Sequence, residues 1–207
     1  MKILLAHGWG FDPSSWNNLT KNLCGHKFIF TGPEFLVGGI KTDKVFPLKD
    51  VVCIGHSFGV LWLLKNKPRN IRGFISIAGF DWLGEYLPAS YFLLARRRLL
   101  RNPEIQMRRF WKECGIENPD INLKPNVPVL LDGLDWMESW NLKREKDQLD
   151  CPVLAIGSRN DCIVTEIMSR EMWGNYQLIM SRDGEHVIHL HKPKWCAKNI
   201  LSFLETL

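Results

Sequence analysis

Ser57 stands in Gly55-His56-Ser57-Phe58-Gly59, between the apolar runs Val51-Val52-Cys53-Ile54 and Val60-Leu61-Trp62-Leu63-Leu64. The first run reads as a buried strand and the second as a helix, so the pattern predicts a serine on a sharp strand-to-helix turn. Such a turn leaves no room for side chains two residues to either side, and glycine meets that demand. The turn projects the hydroxyl above the sheet and sets it at a helix N-terminus, where free N–H groups favour negative charge. The chemistry this serves is nucleophilic attack by a hydroxyl. The alternative is a G-x-S-x-G that falls by chance in a loop, and the flanking strand and helix weigh against it.

A serine hydroxyl is a weak nucleophile until a base takes its proton. Of the six His, His7 and His56 lie beside glycines of other motifs and His26 lies in a turn. The other three fall in Gly184-Glu185-His186-Val187-Ile188-His189-Leu190-His191-Lys192-Pro193, after the last apolar run. His186 is the expected base, on the loop at that strand's C-terminal edge, whereas His189 and His191 enter the following helix or its cap. A metal site on these three His has no companion carboxylate or Cys spacing to support it. A purely structural His186 is the other alternative. A carboxylate must orient the imidazole and stabilise it when charged. Asp161, after Val153-Leu154-Ala155-Ile156-Gly157-Ser158-Arg159-Asn160, is the expected one. Its rivals are Asp183, too close to His186 to come easily from a separate loop, and Asp135, in an interval of different character. Acyl transfer also needs two N–H donors where the tetrahedral oxygen forms. The backbone N–H of Phe58 is one candidate, and that of Trp9 in the loop His7-Gly8-Trp9-Gly10 is the other.

The elements that must hold these residues are legible as a rhythm. Apolar runs of strand length fall at 3–6, 27–31, 50–55, 74–78, 152–157 and 176–180. They lack polar alternation, as strands of a parallel sheet covered on both faces do. Helical patterns fall at 16–23, 58–66, 163–173 and from 195 to the end. Alternating strands and helices predict a doubly wound parallel sheet. Residues 80–149 break the rhythm with no strand pattern, and read as a helical insertion. Within it Asn102-Pro103-Glu104 looks like a helix start: an N-cap, a proline at the first position and an acid in the first turn. Residues 143–150 alternate charge and read as a solvated helix or linker.

Composition narrows the class. A chain of 207 residues with 45% apolar and 24% charged residues suits one globular domain. A net charge of +5 without a recognition motif does not argue for nucleic acid. The six Cys have irregular spacing and no C-x-x-C, which favours thiols in a reducing compartment over a disulfide framework. The opening Met-Lys-Ile-Leu-Leu-Ala is too short for a signal segment, and no run is long enough to span a bilayer, so a cytoplasmic protein, and a monomer, is expected.

His7-Gly8-Trp9-Gly10, Gly55-His56-Ser57-Phe58-Gly59, Gly157-Ser158-Arg159-Asn160-Asp161, and His186 with Pro193 after it together resemble the α/β-hydrolase superfamily over the whole chain except the insertion. The resemblance implies a mostly parallel sheet of about six strands with helices on both faces. It divides the chain into a core, 1–79 and 150–207, and a helical lid, 80–149. Phe11-Asp12-Pro13-Ser14-Ser15-Trp16 after the first loop, Arg109-Phe110, and Gly133-Leu134 followed by Met137 are similar to the pimeloyl-acyl-carrier-protein methyl ester esterases of biotin synthesis. His56 stands where that family often has Trp, and Cys114 where it usually has Gln. The resemblance implies a Ser-His-Asp carboxylic ester hydrolase that needs no metal or cofactor. It implies that Trp9, Phe110 and Trp111 contact substrate and that basic lid residues hold an acidic carrier protein.

The lid's charge bears on that partner. From 81 to 112 there are seven basic residues (Arg96, Arg97, Arg98, Arg101, Arg108, Arg109, Lys112) against Asp81, Glu85 and Glu104. Arg97 with Arg101, and Arg108 with Lys112, fall one helical turn apart. These four and Arg109 would form a collar for a carrier protein, with Leu93, Leu94, Leu99, Leu100, Phe110 and Trp111 walling an acyl channel. Three other readings stand beside it: a solvated helix face over an apolar stripe packed on the core, a membrane-surface segment, and, for the chain as a whole, a non-enzymatic relative of the fold that only binds a partner. The alternative activities are a thioesterase on acyl-carrier or CoA thioesters and a general small-ester carboxylesterase.

Overall fold

The computed structural model describes residues 1–40, 42, 48–66, 68–117 and 124–207. Its strands are β1 (Lys2–Ala6), β2 (Lys27–Thr31), β3 (Leu36–Val37), β4 (Val51–His56), β5 (Gly73–Ile77), β6 (Lys124–Pro125), β7 (Val153–Ser158) and β8 (Gln177–Ser181). Its α-helices are α1 (Asn17–Thr20), α2 (Phe58–Lys65), α3 (Ala89–Arg101), α4 (Pro103–Glu113), α5 (Val127–Ser139), α6 (Lys143–Asp147), α7 (Glu166–Trp173), α8 (Ile188–His191) and α9 (Pro193–Leu204). Six strands form one sheet in the order β2-β1-β4-β5-β7-β8, every pair parallel.

The unalternated apolar runs are explained by two cores. Leu4, Cys53, Phe74 and Ala155 point into one, shared with Leu61 and Leu64 of α2 and Trp173 of α7. Their neighbours Ile3, Ile54, Ile75 and Leu154 point into the other, with Trp16, Leu19 and α9 residues Ile200 and Phe203. Successive strand side chains face opposite sides, so a strand covered on both sides must be apolar at every position. Each such Leu, Ile or Phe contributes about 1.5–3 kcal/mol on burial.

The strand order places the site. The chain builds outward from β1 to β2 on one side, and through β4, β5, β7 and β8 on the other. In sheets of this kind a crevice opens at the carboxyl ends of the strands where the order reverses. Here that point lies between β1 and β4, whose ends lead into the loop of Trp9 and the turn of Ser57.

The interval 80–149 carries α3 to α6, but the expectation that it lacks a strand is corrected. Lys124–Pro125 pairs antiparallel with Leu36–Val37, tying the insertion to the loop after β2. Asn102 caps α4, accepting from Ile105 N at 3.1 Å, with Pro103 at the first position. Arg96 clamps α3 to α5 through Asp135 (2.6 Å) and Glu138 (2.5 Å). The reading of 143–150 as solvated is also corrected at one residue. Lys146 is buried, its ammonium 2.8 Å from Asp81 Oδ2 and donating to Met172 O at 2.8 Å. A charge this deep needs both partners, since a buried ammonium without them is costly. Among the described residues no helix is long and apolar enough to cross a membrane.

Candidate active site

Ser57 sits between the last residue of β4 and the first of α2 with φ 53° and ψ −122°. A non-glycine residue in this conformation is strained, and the surroundings must hold it there. Part of the hold is a hydrogen bond from its N–H to Ile77 O, 2.9 Å. The glycines of the motif are required by close approach. A Cβ on Gly59 would lie 2.0 Å from Ala6 O, and one on Gly55 would lie 2.6 Å from Val60 N. The helix therefore starts pressed against the strands that aim it.

The structure brings Ser57, His186 and Asp161 into one buried chain of hydrogen bonds. His186 Nε2 lies 2.9 Å from Ser57 Oγ, and His186 Nδ1 lies 2.8 Å from Asp161 Oδ2. The other carboxylate oxygen, Oδ1, accepts from Ile163 N (2.8 Å) and Val164 N (2.9 Å). The side chains of His186 and Asp161 are fully buried. Among neutral tautomers, a proton on Nδ1 shared with Asp161 leaves Nε2 as the acceptor facing the hydroxyl. Asp161 follows β7 and His186 follows β8, so two adjacent strand ends supply acid and base. Asp183 lies away from this chain on the Nζ of Lys192, and Asp135 pairs with Arg96.

Asn160 and His56 have parts that spacing did not reveal. Asn160 Oδ1 accepts from Ser158 Oγ (2.6 Å) and from Glu185 N (3.0 Å), which links the acid loop to the base loop. Glu185 itself has φ 56°. His56 Nε2 donates to His186 O at 3.1 Å, so a ring beside the nucleophile braces the backbone of the base. His56 packs against His189, centroids 4.3 Å apart, and His189 against Trp16 at 4.8 Å. Burial, reinforced by neighbouring imidazoles, holds His56 well below the usual histidine range and His189 at about 3. Burial likewise lowers His7 to about 4. His191 faces Glu185 at 3.0 Å. Among the described residues no group of three His, Cys, Asp or Glu side chains is placed to hold a metal ion.

Neither the Trp9 N–H nor the Phe58 N–H is engaged by an acceptor among the described residues. Trp9 is fixed by α5 and α4: its Nε1 donates to Leu130 O at 2.9 Å, and its ring meets Phe110 edge-on at 4.7 Å. Trp111 does not line the cavity at Ser57. Its Nε1 reaches across to donate to Gly10 O at 3.0 Å. That cavity is bounded by Trp9, Phe80, Gln106, Phe110, Leu134 and Met137 among others, and holds about 30 Å³. This is room for a water molecule or two and not for an acyl chain.

On the surface of α3 and α4, Arg97, Arg101, Arg108, Arg109 and Lys112 are exposed. Arg109 is paired with Glu113 at 2.9 Å, whereas the other four have no ion pair among the described residues. Leu93, Leu94 and Leu100 are exposed between them, and Leu99 is buried in the core, so these leucines do not wall a channel together.

No family model matches the chain, and no curated protein matches it. Solved structures do. An esterase from Exiguobacterium antarcticum superposes with a TM-score of 0.85 at 12% identity, over 99% of this chain and 92% of that one. A lipase-esterase related protein from Clostridium acetobutylicum gives 0.74 at 20% identity, over 98% and 93%. A bromoperoxidase from Bacillus anthracis gives 0.80 at 14% identity, over 99% and 91%. The chain has the α/β-hydrolase fold.

Proposed function

We propose that this chain is a carboxylic ester hydrolase working through an acyl-enzyme on Ser57. The observation that carries the proposal is the Ser57–His186–Asp161 chain at 2.9 and 2.8 Å, with Asp161 held by two further N–H groups. Ser57 Oγ attacks the ester carbonyl as His186 Nε2 takes its proton. The resulting oxyanion rests on the N–H groups of Trp9 and Phe58. His186 then returns the proton to the departing alcohol, and Asp161 steadies the imidazolium throughout. Water attacks the acyl-enzyme by the same route. The fold by itself hosts other chemistries, so the site and not the likeness selects this one. The names of the two esterase-related neighbours agree with it.

The test is Ser57→Ala assayed on p-nitrophenyl butyrate. We expect a loss of at least about 10⁴-fold in kcat with an unchanged Tm. A variant that still hydrolyses the ester would sink the assignment.

For the substrate, we propose a methyl ester of a pimeloyl chain presented by an acidic acyl carrier protein, with residues 80–149 as a lid. Phe110 against Trp9 at the cavity and the exposed Arg97, Arg101, Arg108 and Lys112 support it. Reversing these four charges should cut kcat/KM on a carrier-bound ester by about tenfold or more while sparing a small soluble ester. Equal behaviour on both would leave a general small-ester carboxylesterase as the better reading.

A further inference from the structure

One face of α4 presents Gln106, Phe110 and Glu113 to the cavity at Ser57. Phe110 is the apolar member, and Glu113 is exposed and occupied with Arg109. Gln106 differs from both. It is 8% exposed, and its Oε1 is wholly buried without a hydrogen-bond partner. Buried amide groups are ordinarily satisfied, and an orphan calls for an explanation. The rest of the wall is apolar apart from Trp9, Ser57 and Tyr91: the Trp9 Nε1 is spent on Leu130 O and Ser57 Oγ faces His186 Nε2, and among the described residues no group, the Tyr91 hydroxyl included, pairs with Gln106 Oε1.

We infer that Gln106 is a specificity-determining residue that hydrogen-bonds a neutral polar group, such as an amide, carried within the acyl chain of the substrate. The inference rests on the hydrolase reading of Ser57 for its sense of what enters the cavity. The group is neutral because the wall holds no cation to offset a carboxylate and carries an acid, Glu113, on the same face. An amide can offer either donor or acceptor to the Gln106 carboxamide. A plain alkyl chain would leave Gln106 unpaired when the cavity closes over it, and sites with such buried polar groups reject ligands that lack the match. An acyl chain bearing such a group therefore shares the hydrolase reading but competes with the pimeloyl chain as substrate, and the paired esters below decide between them.

The experiment compares matched p-nitrophenyl esters of equal chain length: N-acetylglycyl with pentanoyl, N-acetyl-β-alanyl with hexanoyl, and N-acetyl-γ-aminobutyryl with heptanoyl. The wild-type chain should favour the amide member of at least one pair by about tenfold in kcat/KM, and Gln106→Leu should abolish that preference. Gln106→Leu should also keep or raise Tm. A fall of more than about 4 °C would mean that the carboxamide supports the fold, and would overturn the inference. An amide preference absent from the wild type, or unmoved by Gln106→Leu, overturns it equally. Binding of the same esters to Ser57→Ala by calorimetry separates the two readings. Amide-selective binding without turnover by the wild-type chain would remove the hydrolase reading and keep Gln106. Turnover with no selectivity would do the reverse.

Discussion

At the scale of single residues, Asp161 shows how a carboxylate is committed to one task. Oδ1 is occupied by two backbone N–H groups and Oδ2 by His186, so the side chain cannot turn. Asp161→Asn would set an NH₂ against donors that need an acceptor, or against the His186 N–H. We expect kcat on p-nitrophenyl butyrate to fall by about 10³–10⁴ with KM little changed, since the hydrogen bond serves the charged transition state. An equal loss spread over KM would mean that Asp161 shapes binding instead. Gly59 makes the opposite point, that a residue can matter by having no side chain. Gly59→Ala places a methyl 2.0 Å from Ala6 O, whereas a Cβ at Gly25 meets nothing within 4 Å, although its φ is +82°. Gly59→Ala should therefore lower Tm far more than Gly25→Ala, which carries only a backbone cost of about 1–2 kcal/mol. Similar losses in thermal melts of the two variants would contradict this account of the turn.

At the scale of elements, a buried ion pair ties the two ends of the insertion together, and its Lys146 reaches the core at Met172 O. Asp81 leads into the insertion, Lys146 in α6 closes it, and the Lys146 ammonium lies 5.6 Å over the Trp173 ring of α7. Removing one partner strands the other charge. Lys146→Met alone should cost about 3–5 kcal/mol by denaturant unfolding, and adding Asp81→Leu should recover much of it. If the double variant is no better than the single one, the pair is not the anchor. This buried pair was not visible in the sequence, because Lys143-Arg144-Glu145-Lys146-Asp147 reads as solvated until the contact with Asp81, far back in the chain, is known. The β3–β6 ribbon escaped for a related reason: two residues a side carry no periodicity. The six sheet strands were legible because burial on both faces forces apolar runs with nothing else in them. Ser57, Asp161 and His186 were legible as motifs at strand ends. The bond from His56 to His186 O, the Asn160 link and the unpaired Gln106 amide depend on which way side chains point, and composition is blind to that.

At the scale of the whole molecule, three histidines are buried in the neutral state. His7 and His189 are held near 4 and 3, and His56 well below the usual 6.5, by loss of water. The unfolded chain takes up protons at these positions below about pH 6.5, while the folded chain does not until much lower. Their contribution to stability is thus complete above pH 6.5 and declines as pH falls toward 4. Each group weakens the fold by roughly 1 kcal/mol per pH unit in that window. We expect Tm to drop by about 10 °C or more between pH 7 and pH 5, with a shallower fall in His189→Leu. A flat profile would show that these rings are hydrated.

Two indoles cross between the Trp9 loop and the insertion in opposite senses, Trp9 Nε1 to Leu130 O and Trp111 Nε1 to Gly10 O. The segment that shuts the cavity is therefore also the splint of the loop expected to receive the developing charge. On the hydrolase reading, we expect a substrate to enter this small cavity only after the segment swings away, which would loosen that splint. A molecule that is open can be filled but is not ready to react, and one that is ready cannot be filled. We then expect the two conditions to alternate like the doors of an airlock, with the tempo of turnover, even for highly reactive esters, set by how fast the segment swings back. Thickening the solvent with sucrose should slow such turnover in proportion.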